Sequence, residues 1–205
     1  MEEYLDYYDI DWNFLWTWTR DQVHREWLRH NTVHCRLYTK DWKVLFQIRK
    51  DTGTFYTTAS WHVLAWETIK QAFSREVKEE LGIDVDVSNA ELVWIVEWKQ
   101  DKIKDDWSEY HDRAKANVYV NEYKWNFDDF YFDENEVAGV VCVDAKDALK
   151  LFETWEWELS AVIVKNNWEK ENRDVITSEF LVTWGETLIG KYGDMLRKVI
   201  SILND

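Results

Sequence analysis

The run Glu67-Thr-Ile-Lys-Gln-Ala-Phe-Ser-Arg75-Glu76-Val77-Lys78-Glu79-Glu80-Leu81-Gly82-Ile83 decides how this chain is read. Glu76, Glu79 and Glu80 crowd into a segment with the periodicity of an amphipathic helix. With Glu76 at zero on a wheel of about 100° per residue, Glu80 falls at about 40° and Glu79 at about 300°. Ile69, Ala72 and Phe73 fall at about 20°, 320° and 60°, so the acids continue the stripe that should face the core. A solvated acidic face explains most Glu clusters, but here the wheel puts the acids on the wrong side for it. Like charges on an inward face are costly unless something positive sits among them. A hard divalent cation held by oxygen ligands is the usual remedy. The spacing predicts a helix over about Thr68–Leu81, with Gly82 as its left-handed stop.

This run resembles the Nudix box, G-x5-E-x7-R-E-U-x-E-E-x-G-U, where U is a bulky aliphatic residue. Glu67, Arg75, Glu76, Val77, Glu79, Glu80, Gly82 and Ile83 match it. Trp61 and Trp66 stand where the box and its usual Gly-Glu start carry Gly. The resemblance implies a mixed α/β sheet in an α/β/α sandwich, with a C-terminal helix. It implies hydrolysis of a diphosphate linkage in a nucleoside diphosphate derivative or similar small molecule, with Mg²⁺ or Mn²⁺ held by Glu76, Glu79 and Glu80. Arg75 has a structural role in the family and can pair with Glu79 at i,i+4. Glu67, on the opposite wheel face, is expected to brace the loop at the helix start.

The segment Thr19-Arg20-Asp-Gln-Val23-His24-Arg25-Glu-Trp27-Leu28-Arg-His30-Asn-Thr-Val33-His34 is similar to the N-terminal part of Nudix proteins related to isopentenyl-diphosphate isomerase. With Glu134-Asn135-Glu136, the similarity spans roughly residues 4 to 150. It implies His34, His62, Glu134 and Glu136 as further site residues, with Glu134 or Glu136 orienting water or acting as general base. Ser60 replaces the isomerase Cys, and Trp27 stands where the isomerases have a His. A hydroxyl is a far weaker acid than a thiol, so isomerase-like chemistry is the second reading. A catalytically impaired Nudix-fold binding module, its loop crowded by Trp61 and Trp66, is the third. Taken alone, a His is more often a hydrogen-bonded structural residue than a ligand. His62, which opens the box loop, is the better candidate of the two.

The length of 205 residues predicts one domain over 1–205, with an N-terminal extension at 1–30, a core at 31–155 and a C-terminal helical elaboration at 156–205. A net charge of -15 argues against nonspecific binding to nucleic acid or to an anionic membrane. It also means that a diphosphate partner needs a cation between two sets of negative charge. No apolar run is long enough to span a bilayer, and the acidic start is unlike a signal peptide. Cys35 and Cys142 lie in strand-like runs and read as reduced core residues of a cytoplasmic protein. Lys43, Arg36 and Arg49 could meet substrate phosphates.

The chain holds no Pro, six Gly and fifteen Trp, against about 14 Gly and 10 Pro at average usage. Trp12, Trp42 and Trp107 follow Asp, and Trp168 follows Asn. Asp-Gly and Asn-Gly are what tight turns demand, because the second residue often needs φ > 0. The pattern reads as Trp placed where a parent sequence carried Gly or Pro. Strands are expected at Tyr4–Ile10, Val33–Tyr38, Lys43–Arg49, Phe55–Thr58, His62–Leu64, Glu91–Trp98, Ala114–Lys124 and Val137–Val143. Short helices are expected at Arg20–His30 and Ala145–Phe152, and a largely helical tail at Ser178–Leu203.

Overall fold

The alternation along the central strands sorts side chains onto two faces, and the computed structural model fills both. It describes residues 2–103, 109–154, 158–165, 169–176, 179 and 186–204. In chain order the elements are β1 (Tyr4–Tyr8), β2 (Phe14–Thr19), α1 (Arg20–Arg25), β3 (Arg29–Tyr38), β4 (Lys43–Arg49), β5 (Phe55–Tyr56), β6 (Ala59–His62) and α2 (Ile69–Leu81). They continue as β7 (Glu91–Ile103), β8 (Glu109–Glu122), a single 3₁₀ turn at Phe127–Asp129, β9 (Val137–Asp144), α3 (Ala145–Thr154), β10 (Glu158–Lys165), β11 (Lys170–Ile176) and α4 (Glu186–Asn204). The strands form one mixed sheet in the order β11-β10-β9-β4-β3-β1-β2, with β5 on β4, β6 and β8 on β3, and β7 on β8.

Val33, Cys35 and Leu37 of β3 and Leu45 of β4 face α2, where they meet Phe73, Val77 and Leu81. Tyr38, Val44 and Phe46 face the other way, onto Ala148 and Leu151 of α3 and Leu196 and Val199 of α4. This period-two sorting gives the α/β/α sandwich. The β3–β8 seam is parallel, from Arg29↔Arg113 to Tyr38↔Glu122. The other strand pairs are antiparallel.

The box helix forms where its spacing places it. Thr68 and Gln71 close a capping box at its start, and Gly82 ends it at φ 73. Several expectations need correction. The helix expected to reach His30 stops at Arg25, because Trp27 adopts φ 59 and turns the chain into β3. Residues 1–30 are not an appendage: β1 and β2 extend the sheet, and α1 packs beside β8. Residues 158–176 are the antiparallel hairpin β10–β11 rather than helix, and only α4 supplies the helical tail. The short strands around the box loop are Phe55–Tyr56 and Ala59–His62. Trp12, Trp42 and Trp66 have φ of 64, 68 and 65. Trp61 instead sits inside β6 and is not among the left-handed residues. Trp107 and Trp168 lie outside the described residues.

Candidate active site

Helix α2 presents Glu76 and Glu80 inward, with 3% and 4% of their surface exposed. One oxygen of Glu80 accepts from Gln47 Nε2 at 2.6 Å and the other from the Ser60 amide at 3.3 Å. Glu76 pairs with Arg75. Arg75 also donates to both oxygens of Glu67 at 3.1 and 2.6 Å, to Glu79 at 3.0 Å and to the His62 carbonyl at 3.0 Å. Glu67 in turn accepts from the Leu64 amide at 2.6 Å. This clamp ties the loop after β6 to the helix, so Arg75 and Glu67 brace the site. Glu79 is exposed at the rim, away from the inward stripe, and joins Glu76, Glu80, Asp133 and Glu136 around one acidic hollow. Glu134 is exposed and is not part of that lining.

Burial pushes the Glu76 carboxyl up to about 8 despite Arg75, with Glu79 and Glu136 adding to the rise. Burial, then Glu76, raises the Glu80 carboxyl well above the usual carboxylate range. Glu136 is raised by burial first and Asp133 second. These groups lack enough nearby positive charge to ionise together. Their all-oxygen donor set fits a hard divalent cation.

A second cluster lies across β3. Ring nitrogens of His24, His30 and His62, all buried, lie within 4.8 Å of one another. The Nδ1 of His24 faces the His111 carbonyl at 2.9 Å, so it carries the proton. Its Nε2 lone pair then points toward His62 Nε2 at 3.0 Å and the Tyr110 hydroxyl at 3.1 Å. The same logic applies to His30, whose Nδ1 donates to the Leu28 carbonyl at 3.2 Å. Its Nε2 faces Asp112 Oδ1 at 3.3 Å. Burial lowers His24 to about 4, with His30 the next cause, and lowers His62 well below the ordinary histidine range. His24 and His62 are thus neutral imidazoles, the kind of donor a borderline divalent metal takes.

The two clusters border one cleft. From the acidic hollow it passes Trp61, Glu80 and Glu136 into a section lined by Arg49, Ser60 and Gln47. It continues past Arg20, His62 and Tyr110 to His34, Tyr56 and Trp98. Arg49 is held by Asp51 at 2.9 and 2.7 Å. Trp61 lies at the crossing, its Nε1 on Glu3 at 3.2 Å and Arg20 over its ring at 4.5 Å.

The structure therefore brings Glu76, Glu79, Glu80 and Glu136 together, and leaves Glu134 outside. It parts the two histidines of the sequence reading. His62 joins the imidazole cluster, whereas half-buried His34 lines the cleft beside Tyr56 and Trp98. Lys43 pairs with Asp144 at 3.4 Å and does not line the cleft sections that hold Arg49. Sequence reasoning missed Arg20, His24, His30, Tyr110 and Asp112 as site residues. The signal was the density of His between His24 and His34, and the helix expected through Arg20–His30 hid it.

No family model matches the chain. It is similar to an uncharacterised Nudix hydrolase of Clostridium acetobutylicum, 26% identical over 165 residues that cover 74% of this chain and 75% of that one. Its fold is similar to the crystal structure of the DR0079 protein of Deinococcus radiodurans, with a TM-score of 0.50 and 17% identity over 75% of this chain and 91% of that one.

Proposed function

We propose that the chain is a Nudix hydrolase that cleaves a diphosphate linkage in a small molecule, with Mg²⁺ or Mn²⁺ at Glu76, Glu79 and Glu80, a reading supported by the box residues and by the similarity to a Nudix hydrolase. The observation that carries this reading is the pair Glu76 and Glu80, buried on α2 and open to a cleft that also holds Arg49 and Arg20. The bound cation would polarise a phosphoryl oxygen and make a coordinated water more acidic. Arg49, fixed by Asp51, and Arg20 supply positive charge for the phosphates. Glu136, which lines the hollow with Glu76 and Glu80, would take a proton from the attacking water. Glu134, outside the hollow, is left with no such role. None of the described helices is long and apolar enough to cross a membrane. Two free buried cysteines suit a reducing compartment, and the cytoplasm is the proposed setting.

The test is Mg²⁺-dependent phosphate or pyrophosphate release across a panel of diphosphate compounds. Glu80→Gln is expected to lower turnover by roughly 100-fold or more and to weaken Mn²⁺ binding measured by calorimetry. Unchanged turnover and unchanged binding would remove the box from the mechanism.

One observation favours an isomerase-like second reading: the convergence of His24, His30 and His62 beside Tyr110 and Asp112. Against it stands Ser60 at the thiol position. Proton exchange at the allylic carbon of isopentenyl diphosphate, followed by NMR, decides between them. Robust exchange by this chain would make isomerisation the primary activity.

A further inference from the structure

Beyond His34, Tyr56 and Trp98 the cleft ends in a small chamber of about 50 Å³, walled by Trp94, Val96, Val118 and Met195. One cation lines it. Arg36, on the same face of β3 as His34, is 3% exposed. Its guanidinium lies between the rings of Phe46 and Tyr192, at 4.7 and 4.5 Å from their centroids. Its Nη1 donates to the Tyr56 carbonyl at 2.9 Å, and Tyr192 is its other polar neighbour. Among the described residues no carboxylate lies within ion-pair distance of it. The other arginines of the cleft differ: Arg49 has Asp51, Arg75 has Glu67, Glu76 and Glu79, and Arg20 has Glu3 at 3.5 Å.

A guanidinium removed from water without an anion is expensive, and ring faces with one carbonyl and the Tyr192 hydroxyl compensate only part of that cost. Its fork of donors is shaped for a carboxylate. Along the cleft the buried acids of α2 lie at one end, Arg49 and Arg20 stand in the middle beside Asp51 and Asp112, apolar walls follow, and one cation lies at the far end. Resting on the diphosphate reading above, we infer that Arg36 is an anchor for a carboxylate at the end of a compact, apolar organic group whose diphosphate lies near Arg49. Aromatic and aliphatic walls suit the hydrocarbon, and 50 Å³ is too small for a nucleobase, since a cavity of roughly 150 Å³ is filled by benzene alone.

The probes are alkyl diphosphates of increasing chain length, each paired with its counterpart ending in a carboxylate. Binding is followed by quenching of tryptophan fluorescence in the presence of Mg²⁺, with Trp94 and Trp98 in the chamber wall. At the best chain length the carboxylate member is expected to bind at least about tenfold more tightly than its methyl-ended partner, as a charge-assisted pair should. Arg36→Gln should abolish the preference, Arg36→Lys should retain part of it, and both should bind inorganic pyrophosphate as the parent does. No preference in the parent chain, or a preference that survives Arg36→Gln, overturns the inference. If Arg36→Gln fails to fold, the comparison in the parent and in Arg36→Lys still decides. Product release is measured in parallel. Absence of hydrolysis with a retained carboxylate preference refutes the hydrolase reading and leaves the anchor standing.

Discussion

A tryptophan with positive φ places its Cβ against the following carbonyl, which costs roughly 1–2 kcal/mol in an L-residue. Among the described residues four Trp do this, and their rings differ in what they recover. Trp27 stacks on His111 at 3.6 Å and lies under Arg113 at 4.1 Å. Trp12 donates to Glu97 at 2.6 Å and receives Lys115 over its ring at 3.9 Å. Trp42 has Lys146 at 3.7 Å. Trp66 is 82% exposed, the most of any large hydrophobic residue described. Trp66→Gly should therefore stabilise the fold by roughly 0.5–1 kcal/mol after the entropy cost of Gly, raising Tm by about 1–4 °C. Trp27→Gly should gain less, or lose. Equal gains at both positions in thermal melts would show that ring contacts recover nothing. Trp61 raises a different question, because its backbone is relaxed and its ring occupies the cleft. Trp61→Gly should raise kcat/KM for a diphosphate substrate by about tenfold or more, since misplacement near 1 Å can cost about 100-fold. A slower or unchanged enzyme would show that the indole belongs to the working site.

Helix α2 was legible because its signals are local. A capping box, an apolar stripe and a left-handed stop all fall inside one short run. The stop is also a packing requirement. A Cβ on Gly82 would meet the Tyr131 carbonyl oxygen at 2.6 Å, and φ is already +73. Gly82→Ala should cost about 1–3 kcal/mol in denaturant titrations and loosen metal binding, because the end of α2 carries Glu80. A variant as stable as the parent would mean the backbone yields there without cost. The hairpin β10–β11 was missed for the opposite reason. Leu159, Ala161 and Ile163 alternate as a strand should, yet no Gly or Pro marks its ends. The imidazole cluster was hidden because its members come from α1, β3 and β6, whose meeting is set by tertiary pairing. Along the chain only the crowding of His24, His30 and His34 hints at it.

Across the whole molecule, buried titratable groups set opposite pH dependences. Glu76 has a folded value of about 8 against about 4.3 when unfolded. Its contribution to stability is present below that unfolded value and lost as pH rises through 8. Glu80 is raised in the same direction. His24 and His62 are lowered, so their contribution is present above about 6.5 and lost as pH falls. Between about pH 6.5 and 8 the carboxylate effect acts without an opposing histidine effect. Metal-free protein should lose roughly 1–2 kcal/mol across that interval, near the limit of 1.36 kcal/mol per unit for one group. Saturating Mg²⁺ should flatten the curve, because it binds the ionised acids. A metal-free melt that is flat or rising from pH 6.5 to 8 would contradict the environment described for Glu76 and Glu80.

The parallel seam between β3 and β8 also has a consequence for the order of assembly. Its partners are about eighty residues apart in the chain, while β7 and β8 can pair as neighbours. Closing such a seam costs loop entropy before any contact repays it, so it is a slow step by topology. His24 and His30 lie on the early side of the seam, and Tyr110, His111 and Asp112 on the late side. The imidazole cluster therefore gains its surroundings only after a nascent chain has emerged past β8. The sequence contains no proline, so refolding has no X-Pro isomerisation to wait for. Whatever slow amplitude remains should report the seam, and the surroundings of His24 and His30 should form with it.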